Sequence, residues 1–319
     1  MLIIQNTPED PYFNIAAEDY MLRNFSEDIL MLYINKPSII LGKHQNAYGE
    51  INFPYVHQHQ VPVVRRLSGG GTVYHDYGNL NFSFIRNAAE GDLVNFRKFT
   101  KPVMEVLQTL GIAVRFEGKN DLRVDGLKIS GNAEHVYKKR VLHHGTLLFN
   151  SDLSSLGEAI KVVPNRYFDK AVQSVRSKVT NIAPFLNKEL TIQEFKGLIE
   201  SHIKKQEPCQ EYVFNEKDLA SITKLMQEKY TTWEWIYGYS PKYTLRTKIV
   251  LNGKECDIDL TCNKATITHI DYSVKDKAWN ELMNNLQDKQ HEFRSIRALA
   301  EKYLYIKPDN MDEFVYQFF

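Results

Sequence analysis

Cysteine is scarce in this chain. Among 319 residues there are three, Cys209, Cys256 and Cys262, all beyond position 208 and none in a Cys-x-x-Cys pair. That excludes a disulfide framework and reads as a protein of a reducing compartment, the cytoplasm. Long apolar runs are missing too: none approaches the ~18 residues of a membrane span. The opening MLIIQNTPED has no basic start and too short an apolar stretch for a signal peptide. Nor is there an excess of either charge. With 40 basic and 39 acidic residues the net charge is +1, which argues against a nucleic-acid clamp and its dense basic footprint. The histidine pairs His57/His59 and His143/His144 lack the i, i+4 spacing and the nearby cysteines of a zinc site.

What is present is an ordinary globular composition, 43% hydrophobic and 25% charged, long enough for one large domain or two smaller ones. Its most informative stretch is residues 61–85, VPVVRRLSGGGTVYHDYGNLNFSFI. It reads as strand, glycine elbow, strand. Leu80, Phe82 and Phe84 alternate with Asn81 and Ser83, the period of a half-buried strand. Gly69, Gly70 and Gly71 allow backbone N–H groups to approach a ligand closely. Arg65 and Arg66 just upstream match carboxylate and phosphate geometry. The pattern is neither a Walker loop nor a dinucleotide fingerprint. It suits a small carboxylate or phosphate ligand, or else a glycine hairpin whose arginines face water.

Phe13, Ala16, Ala17 and Tyr20 recur as a helical stripe, and Leu2–Ile4, residues 30–34 and residues 39–41 read as strands. Residues 42–46, GKHQN, are a plain loop or the wall of a pocket. Phe99, Val103, Val106, Leu107 and Leu110 mark a second helix, stopped by Gly111, before a strand at 112–116. Asp125-Gly126 is a hairpin turn. It predicts Val124 facing Leu127, Arg123 facing Lys128 and Asp121 facing Ser130. Leu122, Val124, Leu127 and Ile129 then bury one face, and Asp121, Arg123, Lys128 and Ser130 share the other. Lys128 is either solvated or a positioned cation in a cleft. The company of Asn120, Asp121 and Ser130 favours the cleft.

Residues 143–150 form another strand, and residues 164–174 read as a long loop. Thr191-x-x-Glu194 opens a helix as a capping box, and Leu219, Ile222, Leu225 and Met226 mark another. The aromatic junction WEWIYGYSP, residues 233–241, is the candidate boundary between a domain at 1–240 and a second at 241–319. In the second, an Asn252-Gly253 hairpin, a strand at 265–270 and two helices spell a small α+β unit.

Taken in order, RRLSGGGTVYHDYGN, KNDL, KISG, HHGTLL and SVRSKVTN resemble lipoate–protein ligase A over about residues 10–182. The aromatic junction and trailing unit resemble that family's C-terminal accessory domain more weakly. The resemblance implies an α+β fold of the biotin/lipoate-ligase type, a mixed β-sheet with packed helices. It implies an adenylate-forming ligase: lipoate and MgATP give lipoyl-AMP and pyrophosphate. The lipoyl group then passes to a lysine of a carrier domain. The implied carriers are lipoyl domains of 2-oxoacid dehydrogenase E2 subunits and the glycine cleavage H protein. Lipoate or octanoate is the acyl substrate, and neither nucleic acid nor membrane is a partner.

By the same resemblance Lys128 is the catalytic residue, bridging the lipoate carboxylate and the α-phosphate. Arg66, Ser68, Gly70, Gly71, Thr72, Val73, Tyr74, Asn79, Asn120, Asp121, Ser130 and His144 join it around ATP and lipoyl-AMP. Arg65, Gly71 and Lys128 hold lipoate, Asp121 meets the Mg²⁺ that accompanies ATP, and residues 166–174 map to the adenylate-binding loop. The octanoyltransferase branch needs a cysteine nucleophile, and the first 208 residues contain none. A lipoyltransferase using preformed lipoyl-AMP, or a ligand- or carrier-binding module without chemistry, are the alternatives.

Overall fold

The strand Asn79–Asn87 is buried along both faces, and this decides where the site lies. Its odd and even positions alternate as the sequence predicts, but from Asn79 to Ile85 neither set meets water. Leu80, Phe82 and Phe84 enter a core with Phe99, Val103, Val106 and Leu107 of the helix Phe96–Thr109 and with Phe195, Ile199 and Ile203 of the helix Ile192–Gln206. Asn79, Asn81 and Ser83 lie on the opposite face and are equally inaccessible. The half-buried strand expected from the alternation is therefore a doubly covered one. Its polar residues are a floor, not a surface. The coordinates, a computed structural model, describe residues 1–87, 95–251, 253–274 and 276–319.

Around that strand runs an eight-stranded mixed sheet. Its order is Gln210–Tyr212, Leu2–Ile4, Ile29–Tyr33, Asn79–Asn87, Arg140–Leu148, Leu127–Tyr137, Asp121–Val124, Arg115–Glu117. The first three strands are parallel and the remaining pairs antiparallel. The chain belongs to the α+β class, with helices packed on this sheet. A three-stranded sheet places Ser38–Leu41 between Val63–Arg65, in parallel, and Val73–His75, in antiparallel register. The glycine elbow thus joins two strands flanking a common neighbour. It leads to the long Asn79–Asn87 strand only after the short Val73–His75 segment.

Local signals explain most boundaries. Asp10 caps the helix Pro11–Asn24 through the amides of Tyr12 and Phe13, with proline at its start. Thr191 and Glu194 form the reciprocal capping box. Gly111 takes φ +83° after the helix Phe96–Thr109, a left-handed turn that glycine adopts without strain. Asp125 and Gly126, both with positive φ, close the hairpin.

One predicted register is corrected. Val124 faces Leu127 and Arg123 faces Lys128, but Asp121 faces Gly131 and Leu122 faces Ser130. A bulge between Leu122 and Arg123 shifts the pairing, so two residues on one strand oppose one on the other. Ser130 consequently turns away from the Lys128 side and is buried, while Leu127 is only half-buried.

Contacts group the chain into two compact units. The first comprises Met1–Lys43, Pro62–Gly157 and Val175–Thr232; the second comprises His44–Val61, Glu158–Ser174 and Trp233–Phe319. The second contains a four-stranded sheet ordered Tyr167–Asp169, Tyr243–Leu251, Lys254–Asn263, Thr266–Tyr272. The expected long loop at 164–174 therefore holds a short strand. Its pairing comes from residues far along the chain, which local pattern does not report. Leu251 pairs with Lys254 across the predicted turn, whose Asn252 lies outside the described residues. Helices Lys277–Leu286, Phe293–Tyr303 and Met311–Tyr316 complete this unit. Among the described residues no helix is long and apolar enough to cross a membrane.

Candidate active site

The glycine elbow is folded over a buried guanidinium. Arg66 is 5% exposed. Its Nη2 donates to the carbonyls of Gly69 (2.6 Å) and Gly71 (2.8 Å), its Nη1 to the Ile40 carbonyl (3.0 Å), and its Nε to Ser68 Oγ (2.9 Å). A trans peptide points its N–H opposite to its C=O. With the Gly69 and Gly71 carbonyls turned onto Arg66, the Gly70 and Thr72 amides point away from it. Burial lowers the Arg66 pKa to about 10, which leaves it cationic at neutral pH. Gly70 holds φ +89°, and a Cβ there would lie 3.1 Å from the Arg66 Nη2. Arg65 is fully buried and donates to the Gly42 and Lys43 carbonyls, each at 3.1 Å. Arginines that face water are thus ruled out.

A chain of hydrogen bonds ties the elbow to the polar floor. Ser68 Oγ lies 2.6 Å from His144 Nε2, and His144 Nδ1 lies 2.8 Å from Glu18 Oε2. Because Nδ1 faces a carboxylate it carries the proton, and Nε2 accepts from the serine hydroxyl. The other oxygen of Glu18 accepts from Tyr33 (3.0 Å) and from Ser83. Burial and Glu18 push the Tyr33 phenol well above its ordinary value, so it remains a donor. Next along the floor, Asn79 Nδ2 donates to Asn81 Oδ1 at 2.8 Å. The Asn79 Oδ1 and Asn81 Nδ2 atoms have no partner among the described residues, although both side chains are buried. An acceptor and a donor left open in a closed polar floor suit a ligand edge.

At the far side of that floor stands Lys128. Its strand pairs with Val179, and the Lys128 N–H and C=O bond Lys178 and Thr180. The amine lies 2.8 Å from Asp121 Oδ1, and Arg123 reaches the other oxygen of Asp121 at 2.8 Å. The bulge makes this pairing possible by setting Asp121 opposite Gly131. The Lys128 amine passes over Gly131, where a Cβ would lie 3.1 Å from both Cε and Nζ. Gly131 donates its N–H to Thr146 Oγ1 (3.4 Å), and Thr146 faces Asn81, while His144 faces Ser83 and Ala133. Lys128, His144 and the serine-bound elbow therefore share one face of the central sheet.

Not every expected residue joins them. Ser130 Oγ accepts from Asn132 Nδ2 (3.3 Å) on the opposite face. Asn120 gives its Nδ2 to the Asn132 carbonyl, and its own carbonyl accepts from Asn132 N (3.1 Å) and Nδ2 (2.9 Å). Val73 and Tyr74 are strand residues paired with Ile40 and Ile39. Glu18, Tyr33, Asn81, Ser83 and Thr146 were not expected at all. For Glu18 a signal existed: Asn14 and Glu18 are spaced i, i+4 on the helix Pro11–Asn24, and both are buried. Among the described residues no group of three or more His, Cys, Asp or Glu side chains could hold a metal ion.

The Lipoyl protein ligase A/B catalytic domain matches residues 10–204 of this chain. Lipoate–protein ligase 1 of Staphylococcus aureus is 42% identical over 311 residues, spanning 95% of this chain and 94% of its own length. Among solved structures, lipoate–protein ligase A bound with ATP superposes with a TM-score of 0.65 at 28% identity, covering 75% of this chain and 98% of the other. A bi-partite lipoate protein ligase from Thermoplasma acidophilum, analysed with its E2 lipoyl domain, gives 0.65 at 28%, covering 75% and 96%.

Proposed function

Because the chain belongs to the lipoyl protein ligase A/B catalytic-domain family, we propose that the site just described carries both half-reactions of an ATP-dependent lipoate–protein ligase. It takes lipoate and ATP and lipoylates carrier proteins. The observation that supports the residue roles is that the Lys128 amine and the serine-anchored glycine elbow lie on the same face of one sheet.

In the first step a lipoate carboxylate oxygen attacks the α-phosphorus of ATP. The acyl–phosphate bond forms as the bond to the bridging oxygen of pyrophosphate breaks. Two anions must be brought together and held in line, so fixed cations and amides carry the catalysis. Lys128 leaves Asp121 to span the carboxylate and the α-phosphate. The Gly70 and Thr72 amides, turned outward by Arg66, face the phosphate. Asn79 and Asn81 offer the ligand their open donor and acceptor. Arg65, Gly71, Val73, Tyr74, Asn120, Ser130 and His144 shape and support this site, and residues 166–174 form the adenylate-binding loop. Mg²⁺ accompanying ATP would supply neutralisation of phosphate charge. Asp121, a hard oxygen donor now held by two cations, is the carboxylate of this chain that would hold it.

In the second step a carrier lysine amine attacks the acyl carbon, the bond to AMP breaks, and the amine loses a proton. The carriers are lipoyl domains of 2-oxoacid dehydrogenase E2 subunits and the glycine cleavage H protein, and the acyl substrate is lipoate or octanoate. The reaction runs in the cytoplasm. Residues 1–240 carry the chemistry, and 241–319 form the accessory domain.

The intact mass of an added lipoyl domain, incubated with lipoate and with or without ATP, tests this reading. A lipoyl increment only with ATP, and pyrophosphate release without acceptor, are expected. A domain modified only when lipoyl-AMP is supplied would reduce the protein to a transferase.

A further inference from the structure

On the other face of the sheet, behind the site, lies a second buried histidine. His143 is fully inaccessible and is sandwiched by Phe99 (centroids 4.9 Å apart, 17° between planes) and Phe82 (5.9 Å, 27°). Both of its ring nitrogens face oxygen. Nδ1 lies 2.8 Å from Glu134 Oε1, and Nε2 lies 3.3 Å from Asn132 Oδ1. The Asn132 amide cannot be turned round: its Nδ2 lies 2.9 Å from the Asn120 carbonyl, where an oxygen would be repelled. His143 thus joins the Glu134 carboxyl group to the Asn132 amide through its two ring nitrogens.

The other carboxyl oxygen, Glu134 Oε2, is buried without a partner among the described residues. Burial pulls the His143 pKa below its ordinary value despite Glu134. The neighbours facing the ring from the adjacent strand and the covering helix are the rings of Phe82, Phe96 and Phe99, which carry no charge.

Asn132 links this pair to the site. Through its N–H, carbonyl and amide it clasps Asn120, whose chain neighbour Asp121 holds the Lys128 amine. We propose that Glu134 and His143 are positioning residues for the acyl-activating step, acting through Asn132 to fix Asn120 and Asp121 beside Lys128. The proposal rests on the ligase reading above. The pair is a buried clasp that serves orientation, not chemistry.

Pyrophosphate release under saturating lipoate and MgATP, resolved into kcat and KM, tests it with four variants. Glu134→Leu and His143→Phe should lower kcat about tenfold or more, with KM for both substrates within about twofold. Asn132→Asp, which keeps the pair but repels the Asn120 carbonyl, should do the same. Glu134→Gln keeps a hydrogen-bonding partner for Nδ1, and should stay within about threefold of wild type. A Gln variant that falls as far as the Leu variant overturns the proposal. So does a Leu or Phe variant with unchanged kcat, or kcat and KM lost together. Should His143→Phe fail to fold, Asn132→Asp decides. A wild type that releases no pyrophosphate overturns the ligase reading, and this inference with it.

Discussion

The Lys128 amine and the Asp121 carboxylate form an ion pair of 2.8 Å across a β-bulge, with Arg123 on the second carboxylate oxygen. An amine stored on an internal carboxylate is held in place yet exchangeable for a phosphate. Lys128→Ala should lower pyrophosphate release by about 10² or more, some 2.7 kcal/mol of transition-state stabilisation. Lys128→Arg should fail as well, because a planar guanidinium is bulkier than the amine where the side chain crosses Gly131. Single-turnover assays check both, and near-normal rates in either would remove Lys128 from the role.

Glu18 collects three donors, Tyr33, Ser83 and His144, on two oxygens inside the protein. In Glu18→Gln one oxygen becomes an NH₂ group and at least one buried donor loses its acceptor. The expected cost is about 1–3 kcal/mol. Urea unfolding at neutral pH should show it as a lower midpoint with the slope unchanged.

Gly78 has no room for a side chain. A Cβ there would lie 2.6 Å from the Ser151 nitrogen and closer still to the Asn150 carbonyl, both main-chain atoms. The Gly78 carbonyl accepts from the amides of Phe149 (3.1 Å) and Asn150 (2.9 Å), so the backbones cannot part cheaply. Gly78→Ala should destabilise by about 2 kcal/mol or more, read by thermal or urea unfolding.

Two buried histidines make stability depend on pH. Burial lowers His75 to about 3 and His291 to about 4. His75 Nδ1 accepts from Asn35 (2.9 Å), and His291 Nδ1 lies 2.6 Å from the Tyr243 hydroxyl. Both rings are neutral when folded and take up a proton near pH 6.5 when unfolded. Their stabilisation is therefore complete above pH 6.5 and is lost as the pH falls towards 3–4, at about 1.4 kcal/mol per pH unit for each ring. Urea midpoints between pH 7 and pH 5 should fall accordingly, and His75→Gln should remove its share of the slope.

The sequence made the elements legible wherever a local rule sets them. The capping box at Thr191, the stop at Gly111 and the Asp125-Gly126 turn all stand as expected. The polar floor was not legible. Asn81 and Ser83 alternate with phenylalanines just as a solvent-facing set would, and only the covering helix with Glu18 makes them interior. The bulge at Leu122 and Arg123 was equally hidden, because one inserted residue leaves composition unchanged while turning Ser130 to the other face. The strand Tyr167–Asp169 was missed because its partner lies some 75 residues later in the sequence.

The second compact unit is stitched from His44–Val61, Glu158–Ser174 and Trp233–Phe319. On the ribosome its earliest piece emerges long before its last. At ordinary synthesis speeds His44–Val61 waits roughly 13–50 s for the last of the strands and helices it packs with. During that interval its aromatic residues, Tyr48 and Phe53 among them, lack the Phe319 ring that finally packs against them. A newborn chain of this kind needs either shelter or haste.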